Sequence, residues 1–267
     1  MRNDERLRTI YEVMAPYIVR NEHNWRDYLA FASQFHKHSF DNILLVYAQD
    51  EDVSILATRK QWAAIGRNLI PRAKGVAVCV YRNAKLTLDY LFDVSQTTGK
   101  EIHPTDWQLS DEMKEALTER LSYAHGFPKQ GFSQALYALA SESVADNYNH
   151  FLQELKQETK GHLFTEIPAG GFEAQYIQLL TDSISYFIGK KCHLPDEEIQ
   201  LSDGMATVSH FNQFVHQQYV QAQEQFSWIS DRAEQLEHDY DDLLNEEIRE
   251  AEVLLGIMQR FGLCSER

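Results

Sequence analysis

Along most of this chain the apolar positions recur every three to four residues, and only one stretch departs from that helical period. Leu7, Ile10, Tyr11, Met14, Tyr17 and Ile18 fall on one face of a first helix, which Asn3 or Asp4 can cap. Trp25, Tyr28, Leu29, Ala32 and Phe35 predict a second helix capped by Asn24. Ser39 caps a third over 40–49, with Ile43, Leu44, Tyr47 and Ala48 inward, and Asp50-Glu51-Asp52 ends it as a polar loop. Thr58 caps a short helix through Trp62 and Ile65, and Gly66 is a suitable stop.

Pro71 bars any continuation of the helix, and the pattern then changes. Gly75 to Tyr81 is rich in β-branched residues and predicts a strand, 82–85 a turn, and Leu86 to Val94 a second strand or a pair. From Pro104 the helical period returns over 110–124, 133–155, 172–188, 208–223 and 226–259, with breaks at 126–131, 168–171 and Pro195. In the last of these, Ile229, Leu236 and Leu243 keep a seven-residue spacing, after which the apolar face shifts, so no sustained coiled coil is expected. The expected fold class is α+β and mostly helical. It has a small antiparallel sheet near residues 75–95 and an all-helical, acidic C-terminal half. Two domains are expected, 1–104 and 105–267.

Charge sharpens this division. The chain carries 40 Asp+Glu against 25 Lys+Arg, for a net charge of −15. Residues 1–104 sum to +2 and residues 105–267 to −17. Between Val53 and Leu88 there is no acidic residue, but there are seven basic ones: Arg59, Lys60, Arg67, Arg72, Lys74, Arg82 and Lys85. Trp62 and Tyr81 lie among them. Cations for phosphates and flat faces for bases are what a single-stranded nucleic acid requires. A basic stretch is equally compatible with a solvated surface or with docking onto an acidic face of the same protein, and Trp62 at a helical position fits core packing better than stacking. The acidic part contains a second dense patch. Segment 224–252 holds eleven acids, among them Glu234, Glu237, Asp241, Asp242 and Glu246, and two bases. A helix dressed in this way is usually just solvated. It also resembles the charge spacing of DNA, about 1.5 Å per residue against about 1.7 Å per charge.

Composition excludes other classes. Hydrophobic content of 43% and aromatic content of 12% suffice for a packed core. No apolar run reaches the ~18 residues of a membrane span, and the opening Met-Arg-Asn-Asp-Glu-Arg lacks a leader's apolar segment, so a cytoplasmic protein is expected. Cys79, Cys192 and Cys264 are too widely spaced for a disulfide framework or a metal site. His36 and His38, the adjacent Cys192-His193, and His210 with His216 all lack ligand spacing, so neither metal nor cofactor is expected. Ser183 follows Asp182 without a nucleophile elbow, and Gly170-Gly171 lacks the Lys-Ser/Thr of a phosphate loop. An enzyme is not expected.

One ordered series goes beyond composition. It runs Ser39-Phe-Asp-Asn42, Leu44-Leu45-Val-Tyr47-Ala48-Gln49, Thr58-Arg-Lys-Gln61-Trp62, Gly66, Lys74-Gly75-Val76 and Phe92-Asp93-Val94-Ser95-Gln96-Thr97. This series, with Asn24-Trp25 and Tyr28-Leu29 before it, resembles the N-terminal domain of ArdC-type antirestriction proteins. It is closer still to the LtrC-like leading region of large proteins on conjugative elements of Firmicutes. Asp182-Ser183-Ile-Ser-Tyr186 and Lys191-Cys192 look like the segment that follows in the latter. Asp50-Glu51 stands where the family often has Arg-Pro, and Ala73 where it usually has Gly. No His-Glu-x-x-His is present, so the metalloprotease-like part of ArdC-type proteins is not matched.

The resemblance implies a single-stranded-DNA-binding domain carried by a mobile element that must survive entry into a defended cell. The leading expectation is thus a non-enzymatic anti-defence protein that binds single-stranded nucleic acid through residues 1–104. Two alternatives remain open at this point. One is an acidic DNA mimic directed at a restriction or CRISPR nuclease, and the other is an inactive fragment of a larger conjugation protein.

Overall fold

The computed structural model describes residues 3–35, 38–82, 85–102, 109–127, 130–158 and 171–215. The fold is α+β and mostly helical, with a three-stranded antiparallel sheet and a separate two-stranded one. Contacts group the chain into two compact units. The first is Met1–Ile18 with Ala30–Trp107, and the second is Val19–Leu29 with Gln108–Arg267.

In the first unit the order is α1 (Asn3–Ile18), the end of α2 (Glu22–Ala32), α3 (Phe40–Gln49), β1 (Leu56–Thr58), α4 (Arg59–Ala64), β2 (Arg67–Leu69), β3 (Val76–Arg82), β4 (Lys85–Asp93) and β5 (Thr97–Gly99). The caps behave as their chemistry predicts. The Ser39 side chain accepts from Asn42 N, and Thr58 and Gln61 close a reciprocal capping box. Gly66 has φ +81, the left-handed backbone expected at its helix stop. The second helix differs from expectation at its start. Asn21, not Asn24, supplies the cap, its Oδ1 accepting from Asn24 N at 2.9 Å. On α1, Leu7 and Ile18 are buried, whereas Tyr17 is 47% exposed despite its place in the apolar pattern.

The main sheet has the order β1-β4-β3, with Ala57 opposite Phe92 and Val78 opposite Asp89. Strand β3 is therefore an edge, with backbone groups that no strand pairs. Helix α3 covers that edge with two side-chain amides. Asn42 donates to the Cys79 carbonyl and accepts from Cys79 N, both at 2.7 Å. Seven residues on, Gln49 donates to the Ala77 carbonyl at 2.9 Å and accepts from Ala77 N at 3.0 Å. Two amides one pair of helical turns apart thus imitate a partner strand, which removes the template an open edge offers to other chains. Asn42→Ala and Gln49→Ala are each expected to lower stability by about 1–2 kcal/mol. The double variant should also self-associate with rising concentration, as urea denaturation and sedimentation would show. An unchanged denaturation midpoint would mean that solvent replaces these bonds at no cost.

Asp93 ties the sheet to the loop before β1. It is buried, and its Oδ1 accepts from Ser54 N at 2.7 Å and Ile55 N at 3.0 Å, while Oδ2 accepts from Ser95 N at 2.8 Å. Burial alone would raise this carboxyl, but the bonds from Ser95, Ser54 and Ile55 outweigh it and hold the group below its ordinary value.

Among its described residues the second unit has helices and connecting loops but no strand. It contains Glu22–Leu29 of α2, then α5 (Asp111–His125), α6 (Phe132–Glu158) and α7 (Gly171–Lys191), two short 3-10 turns and a helical stretch over 208–215. Its core is aromatic, with Phe151 stacked on Tyr176 at 4.4 Å and Phe172 on Phe211 at 5.0 Å. Trp25 is buried here, and its Nε1 donates to Ser183 Oγ at 2.9 Å. Asp182 is fully buried and accepts from Ser202 N, Ser202 Oγ and Gly204 N at 2.8, 3.0 and 2.7 Å, so it fastens the 202–204 loop to α7. Cys192 is buried and His193 exposed, as a packing thiol beside a loop histidine should be.

Candidate nucleic-acid interface

The basic window is divided by the fold into residues with structural partners and residues without them. Arg67 belongs to the first kind. Its Nε donates to Thr97 Oγ1 at 2.7 Å, Nη1 to the Lys100 carbonyl at 2.5 Å and Nη2 to the Thr97 carbonyl at 3.0 Å. That fork braces β2 against β5, so the Arg67 guanidinium already has three partners within the protein. Trp62 is also internal. It is buried, and its Nε1 donates to the Phe92 carbonyl at 2.8 Å.

Arg59, Lys60, Arg72 and Lys74 belong to the second kind. All four are exposed, and among the described residues none makes an ion pair or a side-chain hydrogen bond. Arg82 and Lys85 face each other as the last register pair of the β3–β4 hairpin. Their side chains lie outside the described set. So do Glu234, Glu237, Asp241, Asp242 and Glu246, and the whole predicted helix 226–259.

Three of the four free cations border one open groove of about 900 Å³. Its first wall is the start of α4, with Thr58, Arg59, Lys60 and Ala63; its second is the 69–73 turn; its third is Asp89, Tyr90 and Phe92 on β4. The turn is closed by Ala73 N donating to the Ile70 carbonyl at 3.2 Å, with Pro71 and Arg72 at its centre. Arg72 has φ +66. That is the place in a Pro-led turn where glycine is ordinarily preferred, and holding an arginine there costs about 1 kcal/mol. Tyr90 is 44% exposed on the third wall, while Phe92 beside it is half-buried.

Comparison with protein families, curated proteins and solved structures finds no match. What the series Ser39 to Thr97 does is therefore read from the geometry alone, and most of it builds the platform. Ser39 and Thr58 cap helices, Asn42 and Gln49 cover the β3 edge, Trp62 anchors α4 to β4, and Asp93 gathers the backbone before β1. Gly75 belongs to the same set. A Cβ there would meet the Tyr90 Cβ and the Phe92 ring at 3.0 Å, so only glycine leaves both rings where they are.

Sequence reasoning missed Tyr90 and Asp89, which lie just outside the basic window. The signal was present in the two-residue alternation of β4. Leu91 and Asp93 are buried, which puts Tyr90 on the opposite face. Among the described residues no group of three or more His, Cys, Asp or Glu is arranged to hold a metal ion. Likewise, among them no helix is long and apolar enough to cross a membrane.

Proposed function

We propose that the groove between α4, the 69–73 turn and β4 binds single-stranded nucleic acid, and that the protein acts without catalysis as an anti-defence factor of a mobile element. The observation that carries the binding reading is the set of free cations around the groove, one of them held in a left-handed turn where glycine would be more comfortable. An arginine kept there at a cost in backbone energy is kept for its side chain. The anti-defence setting rests on the resemblance to ArdC-type and LtrC-like leading regions.

The three free cations that border the groove set the scale of the test. Each phosphate neutralised on a single strand contributes about −0.7 to the slope of log K against log salt, so the expected slope is about −2. Affinity for a labelled single strand, measured by anisotropy on the full chain, should fall about twenty-fold between about 50 and about 200 mM salt. A matched duplex should bind more weakly. The absence of single-strand binding at about 50 mM salt would refute the proposal. The full chain is the right material, because Trp25, Tyr28 and Leu29 are buried in the second unit and a fragment ending at residue 104 would expose them.

The acidic half supports a second reading, a protein-binding DNA mimic, on its charge of −17 over residues 105–267. Pull-down from a host lysate with and without nuclease treatment separates the two. A partner retained after nuclease digestion favours the mimic, and one lost with the nucleic acid favours the groove.

A further inference from the structure

We infer that Tyr90 is the base-stacking residue of this groove, so that the site selects unpaired bases and not merely a flexible phosphate chain. The inference rests on the single-strand reading above and adds to it the group that contacts the base. Phosphate contacts by Arg59, Lys60 and Arg72 are blind to what the sugar carries, and cations alone would hold a baseless strand equally well. A ring in the same groove changes that.

Tyr90 meets the geometric requirements for stacking. It is 44% exposed, it lines the groove, and it stands on β4, the middle strand of the main sheet, opposite Ala77 of β3 and next to the Thr58–Leu91 pair that joins β1. A Cβ at position 75 would come within 3.0 Å of the Tyr90 Cβ, so glycine there leaves the Tyr90 side chain uncrowded at its base. The other groove aromatic, Phe92, is half-buried, and Trp62 is buried with its N–H already bonded, so Tyr90 is the exposed aromatic face among the described residues that line the groove. Tyr123, at 93%, and Tyr17, at 47%, are more exposed, but neither lines the groove. Stacking of a base on an aromatic side chain strengthens binding roughly 5- to 100-fold.

The test compares two labelled oligomers of equal length on the full chain, one of thymidine and one with an abasic site at every position. They present the same phosphates. The unmodified protein should bind the thymidine oligomer about ten-fold more tightly, with the same salt slope for both. Tyr90→Leu should abolish the preference and leave abasic affinity unchanged, whereas Tyr90→Trp should keep or increase it. Thermal denaturation of both variants confirms that they fold, and Tyr90→Trp alone decides the case if Tyr90→Leu does not. Equal binding of both oligomers by the unmodified protein overturns the stacking inference and leaves the phosphate groove standing, as does a preference that survives Tyr90→Leu. Binding to neither oligomer overturns the single-strand reading itself.

Discussion

Asp93→Ala should lower the stability of the chain by about 3–5 kcal/mol, among the largest single-residue effects expected here. The carboxylate accepts from Ser54 N, Ile55 N and Ser95 N from inside the protein, so its removal strands three backbone donors at once. Hydrogen bonds to a charged acceptor contribute about 1.5–3 kcal/mol each, and partial access of water to the orphaned groups brings the sum down to the figure given. Strand β1 depends on this anchor, because Asp93 pairs with Leu56 and receives the chain just before it.

The effect also has a definite pH dependence. The folded-state pKa of Asp93 lies below its ordinary value, because the bonds from Ser95, Ser54 and Ile55 outweigh burial. A depressed carboxyl contributes stability that is complete above the unfolded pKa and is lost as the pH falls through the folded one. The gap between the native protein and Asp93→Ala should therefore be widest near neutrality and narrow below about pH 4. Asp182 acts in the opposite sense. Burial raises its carboxyl despite the bonds from Ser202, Gly204 and Met205, so its contribution is greatest in acid and declines as the pH rises through its ordinary value toward the raised one. Urea denaturation of native, Asp93→Ala and Asp182→Asn proteins across that range separates the two. A gap for Asp93→Ala that stays constant with pH would show that the carboxylate is not the stabilising form.

The Arg59→Ala/Lys60→Ala double variant should bind single strands about sixty-fold more weakly at about 50 mM salt, with a slope shallower by about 1.4. The figure follows from about 0.7 per phosphate contact and an electrostatic contribution that vanishes near 1 M salt. Both residues sit exposed at the start of α4, where the Thr58–Gln61 capping box does not involve their side chains, so the fold should be unaffected. Arg72→Gly is the more incisive companion. Glycine suits φ +66 at that turn position, so the melting temperature should hold or rise by a few degrees while affinity drops about eight-fold. Improved stability with weakened binding is a result that a purely structural basic island does not produce. Unchanged affinity in both variants would remove the groove from consideration.

The residues themselves determined the helices and the main hairpin, because the physics that sets them is local. Helix α3 runs Phe40–Gln49 from a Ser39 cap, α4 starts at the Thr58 cap, and α5 follows Ser110, each as short-range hydrogen bonding to the first free N–H groups requires. Strands β3 and β4 were legible from their β-branched and aromatic run on either side of a turn. The excess of free cations near 59–74 was likewise visible as charge, because charge needs no fold to be counted.

Other features depended on contacts between distant residues, and there the sequence had no signal. Strands β1, β2 and β5 are three residues each, too short for a period of two to appear, and exist because Thr58 meets Leu91 and Arg67 meets Gly99. Residues 19–29 read as part of the leading helical region, yet they group with the second unit, where Trp25 reaches Ser183, 158 positions away. Arg67 and Arg72 look alike in sequence. Only the pairing of β2 with β5 turns one inward to Thr97 and Lys100, while the turn at Pro71 holds the other beside the groove with Tyr90. A site made of three separate segments exists only once the chain has closed around it, so its residue types were readable beforehand and their meeting was not.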